Sequence, residues 1–213
     1  MPLACKAIGS WLSIWEYGNE PDLYLGKWRP SSWNVSQYVA EWLNGTSHIT
    51  QYLQSACPEL GTPKFMAPSF SSPGSAYSQV GAFQDGLDSQ DAVGQKSLHN
   101  YITGATSPGV TLQGTLMNHT ITVNSLKKHV AAANSLAAID PKPYVIGECN
   151  SLYGGGAAGL SDTFGAALWV MDFTLYAAST GVIERLHYHR KRTSLLLTRF
   201  LASHRGHHMA SIN

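Results

Sequence analysis

Leu-Ser-Ile-Trp-Glu-Tyr-Gly-Asn-Glu-Pro-Asp, residues 12–22, is an apolar and aromatic run that stops at an Asn-Glu-Pro corner. Residues 13–17 have the β-branched and aromatic character of a buried strand, and Pro21 has no N–H with which to continue a ladder. Glu20 therefore falls at the carboxyl end of the strand, where a carboxylate faces the mouth of an α/β sheet. A second stretch repeats the plan. Tyr-Val-Ile-Gly-Glu-Cys-Asn-Ser-Leu-Tyr-Gly-Gly-Gly, residues 144–156, reads as another short apolar strand ending in Glu148 and followed by a glycine turn.

The chain between and around these strands alternates. Residues 2–9 read as the last turns of a helix ended by Gly9. After the first strand and a loop over 23–30, residues 31–60 read as helix, with Val39, Trp42 and Leu43 at helical spacing and Ile49, Leu53 and Cys57 at i, i+4, i+8. Residues 64–67 are a short strand, 68–91 a long loop rich in Ser, Gly and Pro, and 97–102 a third strand. Helix returns over 123–139, is stopped by Pro141 and Pro143, and leads to the strand 144–148. Ser161 is a good N-cap for an apolar helix in which Phe164, Leu168, Met171 and Leu175 share a face, and residues 182–188 form a fifth strand. Such alternation predicts a parallel sheet, open or barrel-shaped.

Composition narrows the function classes. With 213 residues, 44% apolar and 13% charged, the chain has the make-up of a folded domain. The net charge of +1 conceals an asymmetry, since residues 189–213 carry five Lys or Arg and no Asp or Glu, and removing those five leaves the rest at −4. A mildly acidic body does not suit a nucleic-acid binder, and no stretch reaches membrane-spanning length. Cys5, Cys57 and Cys149 have no metal-ligand spacing, and their odd number leaves a thiol free. Asn34, Asn44 and Asn118 each open a possible glycosylation triplet, which tilts the reading toward a secreted parent, although residues 1–8 do not form a signal peptide.

Two strand-end glutamates several βα units apart point to glycoside hydrolysis. A retaining glycosidase needs one carboxyl protonated to assist the leaving oxygen and one ionised to attack the anomeric carbon, about 5–5.5 Å away. Strand ends on one barrel rim supply that geometry. Either glutamate alone is as readily a loop cap or a structural ion-pair partner. Together, with Asn19 placed to hold a sugar 2-hydroxyl, Glu20 and Glu148 read as a catalytic pair. Glu16, inside the strand among apolar neighbours, is expected to be a buried, hydrogen-bonded structural carboxylate.

Trp15-Glu-Tyr-Gly-Asn-Glu-Pro-Asp and the series beginning Gly147-Glu-Cys-Asn-Ser-Leu-Tyr-Gly-Gly-Gly and running through Leu-Ser-Asp-Thr-Phe resemble glycoside hydrolase family 79, the heparanase and β-glucuronidase family, and most of all its fungal β-glucuronidases. The resemblance covers about residues 1–188. It implies a partial TIM (β/α)8 barrel, approximately strands four to eight with their helices, and lacks the family's β-sandwich domain. By it Glu20 is the acid/base and Glu148 the nucleophile, and the glycine turn carries a glucuronate-carboxylate site to Tyr153, Gly154 and Gly155, where backbone N–H groups can approach an anion closely. His99 and Tyr101 match a family strand whose residues contact the sugar and the nucleophile; a packed, hydrogen-bonded pair at a sheet end is the other reading. Cys149 is expected to be a small buried hydrophobe.

The function implied is a retaining β-glucuronidase acting on terminal β-linked glucuronate of polysaccharides or glycoconjugates, without metal or cofactor, from a secreted parent of unspecified oligomeric state. A carbohydrate, not a nucleic acid or a membrane, is its partner. A truncated, non-catalytic product that binds carbohydrate weakly and a barrel glycosidase preferring neutral sugars stay open beside it. The basic tail over 189–213 matches nothing in the family, and reads as disordered or as translation out of frame or through an intron, with a basic amphipathic helix at 195–201 as the alternative.

Overall fold

The computed structural model describes residue 7 and residues 9–188. The helix expected over 2–9 and the tail at 189–213 lie, save for residues 7 and 9, outside the described residues. Five strands form one sheet in the order β1 (Trp15–Glu16), β2 (Phe65–Phe70), β3 (Val93–Gly104), β4 (Tyr144–Tyr153) and β5 (Arg185–Tyr188), each parallel to its neighbour. Consecutive parallel strands need crossovers, and helices supply most of them: α1 (Val35–Ala56), the short α2 (Gln79–Gln84), α3 (His119–Ala137) and α4 (Phe164–Ser179). The result is the parallel sheet that the alternation predicts, curled into the partial TIM barrel that the family resemblance implies.

Local chemistry explains the elements. Asn34 starts α1 with a reciprocal capping box, its side chain accepting from the Gln37 N–H while the Gln37 side chain accepts from the Asn34 N–H. Tyr38, Val39, Trp42 and Leu53 turn inward from α1, and Trp42 meets Phe65 of β2 edge-on at 5.9 Å. All six residues of β2 are buried. Cys57 is disulfide-bonded to a partner outside the described residues, and Cys149 is a free, buried thiol in the core.

Six expectations need correction. The buried strand expected over 13–17 is only Trp15–Glu16, half-buried at Trp15 and exposed at Glu16. The strand expected at 64–67 runs on to Phe70 through Pro68, and the loop expected over 68–91 holds α2, capped by the Ser78 hydroxyl accepting from the Gly81 N–H. The strand containing Glu148 does not end there but continues to Tyr153. Thr163, not Ser161, caps α4. The face of α4 is also reversed: Gly165, Ala166, Trp169, Phe173 and Ala177 are buried, whereas Phe164, Leu168, Met171 and Leu175 are exposed. The cause is a helix apolar on every side, in which spacing alone offers more than one candidate stripe. Packing decides between them. Gly165 permits the observed face, since a Cβ there would lie 2.7 Å from Leu112 Cδ1.

Candidate active site

Two one-residue slips in the sheet build the site. Between the pairs Pro68–Ser97 and Phe70–Leu98, Ser69 is left over, with φ 54°, a left-handed conformation unusual for a residue with a side chain. Between Leu98–Ile146 and His99–Glu148, Gly147 is left over. Side chains alternate along a strand, so an extra residue puts two successive positions on one side. Gly147 and Glu148 thereby both turn to the inner face, where a Cβ at 147 would lie 2.0 Å from Ser97 Oγ and 3.5 Å from Glu16 Oε1. Only glycine fits there.

Glu20 is placed by a corner. Its own backbone is left-handed, φ 49° and ψ 52°, and its N–H donates to the Ser69 carbonyl at 3.0 Å. Pro21 then starts a 3-10 turn, Pro21–Leu23, and buried Asp22 ties that turn to the end of β2 by accepting from the Ser71 N–H at 2.9 Å and the Ser71 hydroxyl at 2.5 Å. Left-handed residues other than glycine cost about 1–3 kcal/mol each and persist where the surroundings over-determine them. Glu20 and Ser69 are two such residues, joined by a hydrogen bond.

His99 brings three carboxylates into one group. Its Nδ1 meets Glu20 Oε1 at 3.1 Å, and its Nε2 meets Glu16 Oε1 at 3.4 Å. Burial alone would lower the imidazole pKa, but the hydrogen bonds of Glu16 and Glu20, with the charges of Glu16 and Glu148, raise it to about 9. At neutral pH both ring nitrogens therefore carry protons and donate. Glu16 is penalised by burial, yet His99 and the Ser69 hydroxyl, 2.6 Å away, hold its carboxyl below the usual range. The sequence expectation for Glu16 is thus met in its hydrogen bonding but not in its burial, because its side chain remains 29% exposed.

Tyr101 stands two residues further along the same face of β3 and donates its hydroxyl to Glu148 Oε1 at 2.5 Å. Burial, then the Glu148 carboxylate, drive its phenol pKa far above the ordinary value, so it stays a donor. One donor atom from each of Glu20, His99 and Glu148 lies within 4.8 Å of the others, close enough to hold a metal ion in principle. Tyr153 packs edge-on to Tyr101 at 6.4 Å and is exposed, and beyond it Gly154, Gly155 and Gly156 have φ of 75°, 105° and 73°. Asn19 is exposed beside Glu20, and its N–H donates to the Tyr24 hydroxyl at 3.4 Å.

Glu20, His99, Tyr101 and Glu148 are therefore in one cluster, with Asn19 and the glycine turn flanking it. His99 bonds to Glu20 and Glu16, and Tyr101 bonds to Glu148. Sequence reasoning missed Asp22, Ser69, Ser97 and Gly147. Alternation along β3 could have found Ser97, since it shares a face with His99 and Tyr101 at i, i+2, i+4. The two slips leave no such signal.

No family model matches the chain. A β-glucuronidase of Neurospora crassa is 50% identical over 199 residues, which are 89% of this chain and 35% of that protein. A β-glucuronidase of Aspergillus niger is 50% identical over 198 residues, 89% of this chain and 36% of that protein. The chain spans about a third of the length of these curated relatives. Among solved structures it is similar to a 4-O-α-L-rhamnosyl-β-D-glucuronidase of Fusarium oxysporum 12S in a Rha-GlcA complex, with a TM-score of 0.66, 27% identity, and coverage of 89% of this chain and 39% of that one. The catalytic domain of a GH26 endo-β-1,4-mannanase of Bacillus sp. JAMB-750 has a TM-score of 0.50 at 16% identity over 82% of this chain and 40% of that one, a likeness of fold alone.

Proposed function

We propose that this chain carries the catalytic centre of a retaining β-glucuronidase of glycoside hydrolase family 79, acting on terminal β-linked glucuronate of polysaccharides or glycoconjugates. The observation that carries the reading is the placement of Glu20 and Glu148, with carboxylate oxygens within 4.8 Å and different neighbours. Retaining enzymes hold their two carboxyl groups about 5–5.5 Å apart, and inverting ones about 6.5–9.5 Å, to admit a water. Half-identity to two fungal β-glucuronidases supports the substrate class.

In this mechanism Glu148 attacks the anomeric carbon as the bond to the leaving oxygen breaks, and the leaving oxygen takes the proton of Glu20. The charge that then develops on Glu20 faces the Nδ1–H of His99. Tyr101 holds Oε1 of Glu148 and so orients its carboxylate for the attack. Glu20 next removes a proton from water, which attacks the anomeric carbon and releases Glu148. Asn19 holds the 2-hydroxyl, and the Tyr153-Gly154-Gly155 turn offers backbone N–H groups to the glucuronate carboxylate. A neutral sugar has no group for that turn. The disulfide at Cys57 and the three glycosylation triplets support a secreted parent.

The test is release of 4-nitrophenol from its β-glucuronide by the full chain, with Glu148→Gln as control and free glucuronate and glucose as competitors. The expected result is activity that Glu148→Gln abolishes and that glucuronate, not glucose, inhibits. Turnover unaffected by Glu148→Gln would overturn the assignment. A second reading, carbohydrate binding without turnover, is favoured by one observation: β1 and β5 each have a strand partner on one side only among the described residues. Folded protein that binds glucuronate and releases no nitrophenol would select it.

A further inference from the structure

Glu16 has no part in the chemistry above, yet its carboxylate reaches Glu20 by two separate routes. Through the backbone, Glu16 Oε1 accepts from the Ser69 hydroxyl at 2.6 Å, and the Ser69 carbonyl accepts from the Glu20 N–H at 3.0 Å. Through side chains, the same oxygen faces His99 Nε2 at 3.4 Å, and His99 Nδ1 faces Glu20 Oε1 at 3.1 Å. Gly147, the unpaired residue, lies beside this oxygen too, since a Cβ there would be in ordinary contact with it at 3.5 Å. Two left-handed residues and a strand slip thus converge on one carboxylate.

We propose that Glu16 is the positioning residue of Glu20: it fixes the Ser69 corner that orients the Glu20 backbone and, through Nε2 of His99, holds the ring so that Nδ1 faces Glu20. This rests on the reading of Glu20 as the acid/base. His99 joins the two carboxylates, and the charged or titratable groups around it are Glu16 from β1, Glu20 from the corner and Glu148 from β4, with His129 of α3 behind. Glu16 also feels the charge of His187 of β5, which burial and Arg185 keep below the usual imidazole pKa.

The test has two arms. In the first, the His99 imidazole 15N shifts of the full chain are followed from pH 6 to 10 in the native sequence, Glu16→Gln and Glu16→Asp. The native ring stays doubly protonated at pH 7 and titrates near 9; Glu16→Gln lowers the midpoint by at least about one unit, and Glu16→Asp, which keeps the charge, lowers it less. A neutral native ring at pH 7, or a midpoint unmoved by Glu16→Gln, overturns the proposal. In the second arm, kcat/KM is compared on methyl β-glucuronide, whose leaving oxygen needs a proton, and on 2,4-dinitrophenyl β-glucuronide, whose leaving group does not. Glu16→Gln loses about 10-fold or more on the first and little on the second. Equal losses on both overturn the proposal. If Glu148→Gln leaves glucuronide turnover intact, or the chain turns over neither glucuronide, the failure is that of the β-glucuronidase reading, and the imidazole titration decides the Glu16–His99 coupling by itself.

Discussion

His99 and His129 are both fully shielded from solvent, yet they titrate in opposite directions because their partners differ. His99 gains carboxylates, and its pKa rises to about 9. Its contribution to stability is fully present below its unfolded value of 6.5 and is lost as pH rises through 9. His129 meets only neutral partners, its Nδ1 accepting from the Tyr144 hydroxyl at 2.8 Å and its Nε2–H donating to Asn100 Oδ1 at 3.1 Å. Burial first, and then the charges of His99 and Lys128, lower its pKa to about 3. Below pH 6.5 the unfolded chain binds a proton at this position that the native state refuses until about pH 3, so stability falls through that window. Replacing His129 with Gln removes the effect. Urea unfolding at pH 6.5 and 5.0 is expected to show the native sequence losing about 1–2 kcal/mol more than His129→Gln over that interval; the same loss in both would show that His129 is not buried in its neutral form.

At the scale of elements, the strand slip at Gly147 is what turns Glu148 inward, and it has a measurable cost if filled. Gly147→Ala forces a methyl group against Ser97 and is expected to destabilise the fold by about 1–3 kcal/mol. Adding Ser97→Ala removes the hydroxyl that makes the closest approach, so the double variant recovers much of that loss in thermal unfolding; strictly additive effects would place the strain elsewhere. The slip also explains what the sequence could and could not reveal. The strands near 13–17 and 144–148 were legible because β-branched and aromatic runs met Pro or Gly, and Glu20 and Glu148 could be picked from their position in those runs. The inward turn of Glu148 was not legible, since alternation from Tyr144 places position 148 on the helix side unless one residue goes unpaired. Likewise, α2 is six residues long and carries no full apolar period, so only its Ser78 cap could have marked it. In α4 the spacing was real, but the helix is apolar on both faces, and the small residues Gly165, Ala166 and Ala177 that allow close packing decided the inner one.

For the whole molecule, the five-stranded sheet gathers both glutamates, His99 and Tyr101 on its inner face, while its helices bury the outer one. The stripe on α4 tests that arrangement. Phe173 is fully buried, and Phe173→Ala is expected to cost about 3–5 kcal/mol. Met171 and Leu175 are 51% and 57% exposed, so Met171→Lys and Leu175→Lys should change the unfolding midpoint little and reduce binding of an apolar dye. A large loss from either lysine variant would mean that the stripe is covered in solution. The proposed function requires Glu20 and Glu148 to act on one sugar. The most direct measurement is peptide mass mapping after reaction of the chain with an activated 2-deoxy-2-fluoro-β-glucuronoside, which arrests a retaining enzyme as its glycosyl ester. One fluoroglucuronyl group is expected on the peptide containing Glu148 and none in Glu148→Gln. A label on another carboxylate, or folded protein that takes up no label, would contradict it.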